Sequence, residues 1–162
     1  MSHRKLLDFL RDQDADYLLR QHEPYSSTEE ATRITGIPPE RAAKALLFQA
    51  AGQFALAVLP ANARVHSGKL RRALSVKRLQ MATPDQLREI MNCEPGTCHP
   101  IGRVAGVQTI VDPTLGNNET FSFSTGDPTH TITMPYAEYV RVAEPTIADI
   151  LRDPTSASPT TP

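Results

Sequence analysis

Hydrophobic and polar residues alternate along the chain with two different periods, and each period predicts a different kind of element. Apolar side chains recur at helical spacing over residues 3–12, which predicts a first helix. Ser27 is followed by Glu30 at the spacing of a capping box, and Gly36 ends the pattern, so a helix is expected over 28–35. Further helices are predicted over 66–74 and 84–91.

Strand-like patterns occupy much of the rest of the chain. Two apolar runs at residues 43–49 and 53–60 flank an Ala-Gly pair, which predicts a β-hairpin buried on both faces. Phe121 and Phe123 alternate with serines, so a strand there has one buried face and one wet face. The other predicted elements are short strands at 17–19, 78–81, 107–111 and 132–134, a turn at 116–118, a helix or strand over 135–142, and a helical turn over 147–151.

The order of these elements indicates the fold class. Helices and strands are intermixed, but they lack the regular rhythm of a doubly wound fold. We therefore expect an α+β fold, with a mixed, largely antiparallel sheet or partial barrel flanked by helices. One domain is predicted over residues 1–143. Residues 144–162 are predicted to be a mostly disordered C-terminal tail, because residues 154–162 contain no large apolar side chain to anchor them.

Composition narrows the class of protein. The 162 residues are 40% hydrophobic and carry a net charge of −1, which is typical of a globular protein and not of a generally basic nucleic-acid binder. Two cysteines do not make a disulfide framework, the N-terminal segment is amphipathic, and no apolar stretch approaches the roughly 20 residues of a membrane span. We expect a cytoplasmic protein with reduced thiols and no membrane partner.

Several common catalytic motifs are missing from the sequence. It contains no Walker-type loop, no Gly-x-Gly-x-x-Gly, no His-Glu-x-x-His and no Gly-x-Ser-x-Gly. Nucleotide hydrolysis, Rossmann redox chemistry, zinc proteolysis and serine-esterase chemistry therefore lose support.

A lysine and a glycine–proline loop are the first candidates for chemistry. Lys44 lies inside an apolar run over residues 42–48, where burial of an unpaired charge would cost free energy. Its ammonium either reaches solvent along the strand or lies at the edge of an apolar pocket, facing a phosphate or carbonyl oxygen. Residues 96–100 run from Gly96 to Pro100, and they form either an ordinary turn or a set of backbone N–H groups directed at a ligand.

Cys93, Cys98 and His99 suggest two further sites, zinc or a cysteine nucleophile, and neither is well supported. These residues offer three zinc ligands within one short segment, but a structural zinc site needs four, and no second cluster of cysteines and histidines supplies the rest. The possible distant fourth ligands are His22, His66 and His130. Adjacent residues in an extended segment point in opposite directions, so His99 is badly placed to activate Cys98. We expect no metal.

Basic residues cluster between positions 64 and 78, where the chain has no acidic residue. They are Arg64, Lys69, Arg71, Arg72, Lys77 and Arg78. Such a cluster is either a solvated helix face or a patch that contacts the phosphates of RNA. Because the protein is nearly neutral overall, any affinity for RNA depends on a local patch of this kind.

The candidate segments also occur together in a known order. They are residues 23–31, 43–48, 96–102, 110–112 and 123–126. From about residue 15 to residue 142, the chain resembles the YbaK/prolyl-tRNA synthetase-associated domain family of trans-editing deacylases. The most specific elements are the strand lysine, Lys44, and the Gly-x-x-x-Pro loop, Gly96 to Pro100.

The resemblance implies hydrolysis of the ester between a wrong, small amino acid and the terminal adenosine of a tRNA, without a metal or cofactor. It implies that Lys44 holds the substrate, while N–H groups around Gly96, Thr97, Cys98 and His99 stabilise the oxyanion. Water attacks with help from a ribose hydroxyl. The further residues expected to contact substrate are Tyr25, Phe48, Pro100, Gly102 and Asp112.

Two positions depart from the family pattern and keep alternatives open. Ala45 replaces the Thr or Asn that often follows the lysine, and His99 replaces the Ser or Thr that often precedes the loop proline. The expected partners are the acceptor end of an aminoacyl-tRNA and an aminoacyl-tRNA synthetase. The alternatives are a non-catalytic paralogue that binds tRNA or a synthetase, and a pocket on the same scaffold for an amino-acid-like ligand without RNA.

Overall fold

The computed structural model describes residues 2–153 and confirms the predicted α+β class. Within these residues, the helices are α1 (Ser2–Asp12), α2 (Thr28–Thr35), α3 (Ser67–Leu74), α4 (Pro84–Met91) and α5 (Tyr136–Ala143). The strands are β1 (Leu18–Gln21), β2 (Ala43–Ala50), β3 (Gln53–Pro60), β4 (Gln80–Met81), β5 (Gln108–Val111), β6 (Thr120–Ser124), β7 (His130–Pro135) and β8 (Thr146–Ile147). None of the helices in this range is long and apolar enough to cross a bilayer.

The strands form two sheets. One is antiparallel, with the order β1-β7-β6, and the other is mixed, with the order β4-β2-β3-β5-β8. In the mixed sheet, β2 pairs antiparallel with β3 and β4, whereas β5 runs parallel to both β3 and β8. A backbone bridge between Ala42 and Ser122 brings the start of β2 beside β6. Within the described residues, this junction leaves the two sheets adjacent but not closed into a barrel.

The β2–β3 hairpin forms where the apolar runs predicted it. Ala51 and Gly52 have φ values of 52° and 79°, and two positive φ values in succession match the twist of a tight hairpin. Successive side chains then alternate between two cores. Leu47 packs in a main core, while Phe48 packs in a smaller core with Leu70 of α3. The predicted burial on both faces is therefore confirmed.

Local capping explains where two of the helices begin. The Ser27 hydroxyl accepts a hydrogen bond from the Glu30 N–H at 3.1 Å at the start of α2. At α4, the Thr83 and Gln86 side chains each accept from the other residue's backbone N–H, which completes a capping box. Both helices consequently have the bounds that the sequence predicted.

The C-terminal segment differs from its prediction. The expected helical turn over 147–151 is wrong, because Thr146 and Ile147 pair with β5 as a parallel strand. Ile150 is fully buried in the smaller core, and its N–H donates to Asp112 Oδ1 at 3.0 Å. The sheet edge and this carboxylate satisfy backbone groups that a helix would have paired internally. The first part of the predicted tail is thus packed against the domain, and residues 154–162 lie outside the described range.

Candidate active site

A cavity of about 320 Å³ opens at the junction of the two sheets. It lies between the start of β2, helix α2, strand β6 and the loop over residues 95–98. Lys44 lines it from β2, and Gly96 lines it from the loop. Its size falls at the lower end of the range for small-ligand sites. The fold therefore brings the two most specific sequence elements to one place.

Lys44 contributes a partly buried positive charge. Its side chain is half-buried, and burial, reinforced by the positive charge of Arg64, lowers the pKa of its ammonium group. Among residues 2–153, no carboxylate forms an ion pair with it. A partly desolvated ammonium interacts more strongly with an anion or a carbonyl oxygen than one in bulk water does. The cavity therefore favours a negatively charged or strongly polar ligand.

The loop over residues 95–98 supplies main-chain donors. Gly96 has a φ of 89°, a conformation that favours glycine. The Thr97 N–H donates to the Glu94 carbonyl oxygen at 3.1 Å, so it is occupied within the loop. Within the described part of the chain, the N–H groups of Gly96 and Cys98 have no hydrogen-bond acceptor. These two donors remain for a ligand.

The opposite wall has a backbone edge of its own. The Leu47 carbonyl accepts from the Ala82 N–H at 2.9 Å, which identifies the edge of β2 that faces β4. Alternate residues present their backbone groups to the same edge, so the N–H and C=O of Ala45 lie on this edge too. Strand β4 pairs only with Phe48 and Gln49, and Ala45 has no strand partner there in residues 2–153. The cavity wall thus carries further donor and acceptor groups.

Hydroxyl groups complete the lining, and three of them were not among the predicted site residues. Ser122, Ser124 and Thr131 line the cavity from the antiparallel sheet. Tyr25, a predicted substrate contact, also lines it, and its hydroxyl is hydrogen-bonded to Ser124 Oγ at 3.1 Å. The alternation of serines with Phe121 and Phe123 was the feature of the sequence that could have indicated this hydroxyl-bearing wall. The wall therefore suits a ligand with polar groups of its own.

Cys98 and His99 do not form a nucleophile–base pair. Cys98 lines the cavity, but a hydrogen bond to the Cys93 thiol and burial together raise its pKa well above the usual range, so it stays protonated at neutral pH. The His99 ring is only 1% exposed, does not line the cavity and accepts from the Ile101 N–H through Nδ1 at 3.2 Å. The structure therefore gives no support to His99 as a residue that contacts substrate.

Burial of His99 gives the folded protein a specific sensitivity to acid. Desolvation lowers its pKa from about 6.5 to about 4. Between these values the unfolded chain binds a proton at this ring and the folded chain does not, so stability falls as the pH is lowered. At pH 5 the loss is about 2 kcal/mol relative to pH 7. We expect His99→Asn, whose amide oxygen can still accept from Ile101, to lack this loss.

Urea unfolding of both proteins at pH 7 and pH 5 measures the difference. The smaller side chain lowers the free energy of unfolding of the variant by the same amount at both pH values. The quantity compared between the two proteins is therefore the change in that free energy from pH 7 to pH 5. An equal loss of unfolding free energy in both proteins would show that another group titrates.

Four of the predicted substrate contacts lie outside the cavity lining. Phe48 lies four residues beyond Lys44 on β2, roughly 13 Å further along the strand, and packs in the smaller core. The Pro100 carbonyl accepts from the Tyr139 hydroxyl at 2.7 Å. Gly102 donates its N–H to Thr109. Asp112 is 1% exposed, and each of its two carboxylate oxygens accepts a hydrogen bond from a backbone N–H group. None of the four lines the cavity.

The predicted basic patch divides into separate groups. Arg71, Lys77 and Arg78 line a second cavity, of about 570 Å³, beside the β2–β3 turn. Lys69 instead donates to Asp149 Oδ2 at 2.9 Å and to the Leu151 carbonyl at 2.8 Å, which fastens the C-terminal segment. The positive charge of Arg64 contributes to the lowered pKa of Lys44. Arg72 is exposed on α3 and does not line the second cavity.

Comparison with known proteins places the chain in a family. The model of the aminoacyl-tRNA editing domain matches residues 22–142. The chain is 25% identical over 157 residues to the "Multifunctional Ser/Thr-tRNA deacylase ProXp-y" of Escherichia coli K12, with 94% of each chain covered. It is 31% identical over 119 residues to the proline–tRNA ligase of Trichlorobacter lovleyi, which covers 67% of this chain and 21% of the ligase.

Solved structures share the fold. One, described as a candidate trans-editing enzyme for prolyl-tRNA synthetase, superposes with a TM-score of 0.81 at 20% identity, covering 94% of this chain and 98% of the other. The hypothetical protein APE2540 superposes with a TM-score of 0.84 at 17% identity, covering 91% and 99%. Because the family model spans most of the chain and includes both Lys44 and the loop beside it, this protein belongs to the aminoacyl-tRNA editing domain family, as its resemblance to the YbaK/prolyl-tRNA synthetase-associated domains predicted.

Proposed function

We propose that the protein is a trans-editing deacylase that hydrolyses the ester of a tRNA mischarged with a small amino acid. The observation that carries the proposal is the shared cavity, since Lys44, Gly96 and Cys98 line one space in an editing-domain fold and the backbone N–H groups of the last two have no acceptor among residues 2–153. A positive charge and paired N–H donors are the groups that stabilise the oxyanion of acyl transfer.

The proposed reaction needs no side-chain base. Besides Lys44 and Cys98, the cavity is lined by hydroxyl, apolar and backbone groups, and no histidine, aspartate or glutamate among residues 2–153 lines it. Lys44 holds the terminal phosphate or the ester carbonyl, and the N–H groups of Gly96 and Cys98 receive the developing oxyanion. A ribose hydroxyl of the substrate orients the water that adds to the carbonyl carbon. The C–O bond between the carbonyl carbon and the esterified ribose oxygen then breaks, and that oxygen takes up the proton that the attacking water loses, which releases the free amino acid and the uncharged tRNA.

The proposed substrate carries a small, polar amino acid. Ala43, Ala45 and Ala61 line the cavity and leave its volume at about 320 Å³, which limits the side chain that fits beside the terminal adenosine. Ser124 and Thr131 offer hydroxyls to a polar side chain or to the amino group. The E. coli relative is named for Ser/Thr-tRNA, so seryl- and threonyl-tRNA are the first substrates to test.

We propose that RNA contacts lie at the far end of β2. Arg71, Lys77 and Arg78 surround the second cavity, roughly 17 Å along the strand from Lys44. That separation suits acceptor-stem phosphates when the terminal adenosine occupies the first cavity. Because the matched segment forms part of the longer proline–tRNA ligases, a synthetase is the proposed protein partner.

Charge reversal at the second cavity should weaken tRNA binding without affecting chemistry. Arg71→Glu is expected to raise KM about tenfold, leave kcat unchanged and reduce the salt dependence of binding, because one phosphate contact becomes repulsive. Steady-state deacylation at two salt concentrations measures this. Lys5→Glu, an equal charge change at an exposed site on α1, is the matched control. A KM for Arg71→Glu within twofold of that control would place the RNA elsewhere.

A deacylation panel tests the proposed function. Purified protein is incubated with tRNAs that carry serine, threonine, alanine, cysteine or proline on cognate and non-cognate tRNAs, and release of the amino acid is followed. Hydrolysis of at least one mischarged tRNA is expected. Tight tRNA binding without turnover on any of them would instead identify a non-catalytic paralogue.

A further inference from the structure

His3, near the start of the chain, meets Asp127 and His130 outside the set of residues that line the cavity. His3 lies on α1, and Asp127 and His130 flank the turn that leads into β7. One ligand atom from each of the three lies within 4.8 Å of the other two. Within residues 2–153, this is the group of histidine, cysteine and carboxylate side chains with the spacing of a metal site.

Neighbouring hydroxyl and N–H groups orient these side chains. His3 Nδ1 is hydrogen-bonded to Thr125 Oγ1 at 2.7 Å, which leaves its Nε2 available. Asp127 Oδ1 accepts from the Thr129 N–H at 2.8 Å and from the Thr129 hydroxyl at 2.6 Å. The Asp127 Oδ2 atom lies 3.5 Å from His130 Nδ1. Such outer contacts orient ligands in metal sites and strengthen metal binding.

We propose that His3, Asp127 and His130 bind one divalent transition-metal ion, with Zn²⁺ as the probe. Two imidazoles and one carboxylate are ligands that suit zinc, cobalt and nickel, whereas calcium and magnesium require mostly oxygen ligands. Metal–ligand bonds of about 2.0–2.2 Å place the ligand atoms about 3 Å apart, so each side chain needs to move by about 1 Å. All three are only partly buried, which leaves room for that movement and for water as a further ligand.

His130 Nδ1 is hydrogen-bonded to the Thr129 hydroxyl at 3.0 Å, and within residues 2–153 no hydrogen bond engages the Nε2 atom of His3 or His130. The other described histidines have structural roles of their own. His22 uses both ring nitrogens, with the Glu23 carbonyl and the Thr131 hydroxyl as partners. His66 caps α3 by accepting from the Lys69 N–H. His99 is buried. The His3–Asp127–His130 group is therefore distinct from the sequence-based zinc hypothesis, which rested on Cys93, Cys98 and His99.

The bound ion would connect two parts of the fold. It would link α1 to the β6–β7 hairpin, whose Ser124 and Thr131 line the first cavity. A side chain at Gly126 would collide with the Ser2 hydroxyl, so the helix start and the turn are already in close contact. The ion would thus hold the hairpin wall in position without touching the reacting ester. Its role would be structural.

Equilibrium dialysis of the untagged, chelator-treated full chain against Zn²⁺ tests the proposal. One ion per chain is expected, and at about 100 times the Kd the Tm should rise by about 5–10 °C. His3→Gln and His130→Ala should each weaken binding at least tenfold. His66→Asn, which removes an imidazole but retains a capping oxygen, should bind as the wild type does. Circular dichroism verifies that the variants fold.

Two measurements on the wild type keep the test independent of the variants. In a Zn²⁺ titration followed by NMR, the ring signals of His3 and His130 should shift and those of His22 and His66 should not. The Co²⁺-loaded protein should lack the intense near-ultraviolet absorption of thiolate ligation. Absence of saturable binding, shifts at other histidines, or thiolate absorption would each overturn the proposal.

Discussion

Replacement of Lys44 by methionine is expected to lower kcat/KM for deacylation by about 10²–10³-fold, while the folded structure is retained. Methionine has a similar length and apolar stem but no charge, so it removes the ammonium without opening a hole in the cavity wall. The loss is comparable to that of one oxyanion donor in other acyl-transfer enzymes. It is expected to be this large because Lys44 is half-buried and no carboxylate in residues 2–153 neutralises it.

Single-turnover deacylation of the best substrate from the panel measures this effect. Lys5→Met removes the same group from an exposed position on α1 and should retain wild-type rates. Lys44→Arg keeps the charge but presents a wider, planar group, so partial activity is expected. If Lys44→Met retains a kcat/KM within threefold of wild type, the ammonium has no role in catalysis, and the loop must act without it.

Gly102→Ala is expected to destabilise the protein by about 3 kcal/mol, the upper end of the usual cost of overpacking. A Cβ at this position would overlap the backbone carbonyl oxygen of Val107 and the hydroxyl of Thr109. The Gly102 N–H donates to that same hydroxyl at 3.0 Å, and its carbonyl accepts from the Val107 N–H at 2.9 Å. Neither neighbour is a flexible chain end that could move aside.

The measurement is urea unfolding, with a fall in Tm of about 6–12 °C expected in a thermal scan. Gly106→Ala is the matched control in the same turn, because Gly106 has a φ of 70° but no atom of residues 2–153 lies within 4 Å of an added Cβ. It should cost only about 1 kcal/mol, from backbone strain alone. Equal losses in the two variants would mean that the close approach to Val107 and Thr109 adds no cost at position 102, whose backbone is not left-handed.

Patterns that depend on near neighbours were predicted well from the sequence. The capping residues Ser27 and Thr83 begin helices where expected, because a cap is formed by atoms three residues apart. The β2–β3 hairpin has the expected extent for the same reason. The helical turn over 147–151 failed because its backbone partners, strand β5 and Asp112, are distant in sequence.

Residues next to one another in the loop proved to have different environments. Cys98 lines the cavity, whereas His99 is turned into the core and Pro100 is held by Tyr139. Of the loop N–H groups expected to bind substrate, that of Thr97 is already donated to Glu94. The sequence could not predict which of these residues face the cavity. The direction of each side chain and N–H group depends on the backbone dihedral angles of the loop, which the residue types alone do not fix.

By itself, the sequence determined most of the elements, the fold class and the two segments on which the family resemblance rests. Those features follow from periodicity, capping and turn chemistry, which act over a few residues. Only the tertiary structure decided which residues share the cavity, which loop donors lack an acceptor within residues 2–153 and which predicted contacts lie outside the lining. It also brought His3 beside Asp127 and His130. Such proximity is set by packing between sheets and helices that are distant along the chain, and local sequence carries little information about it.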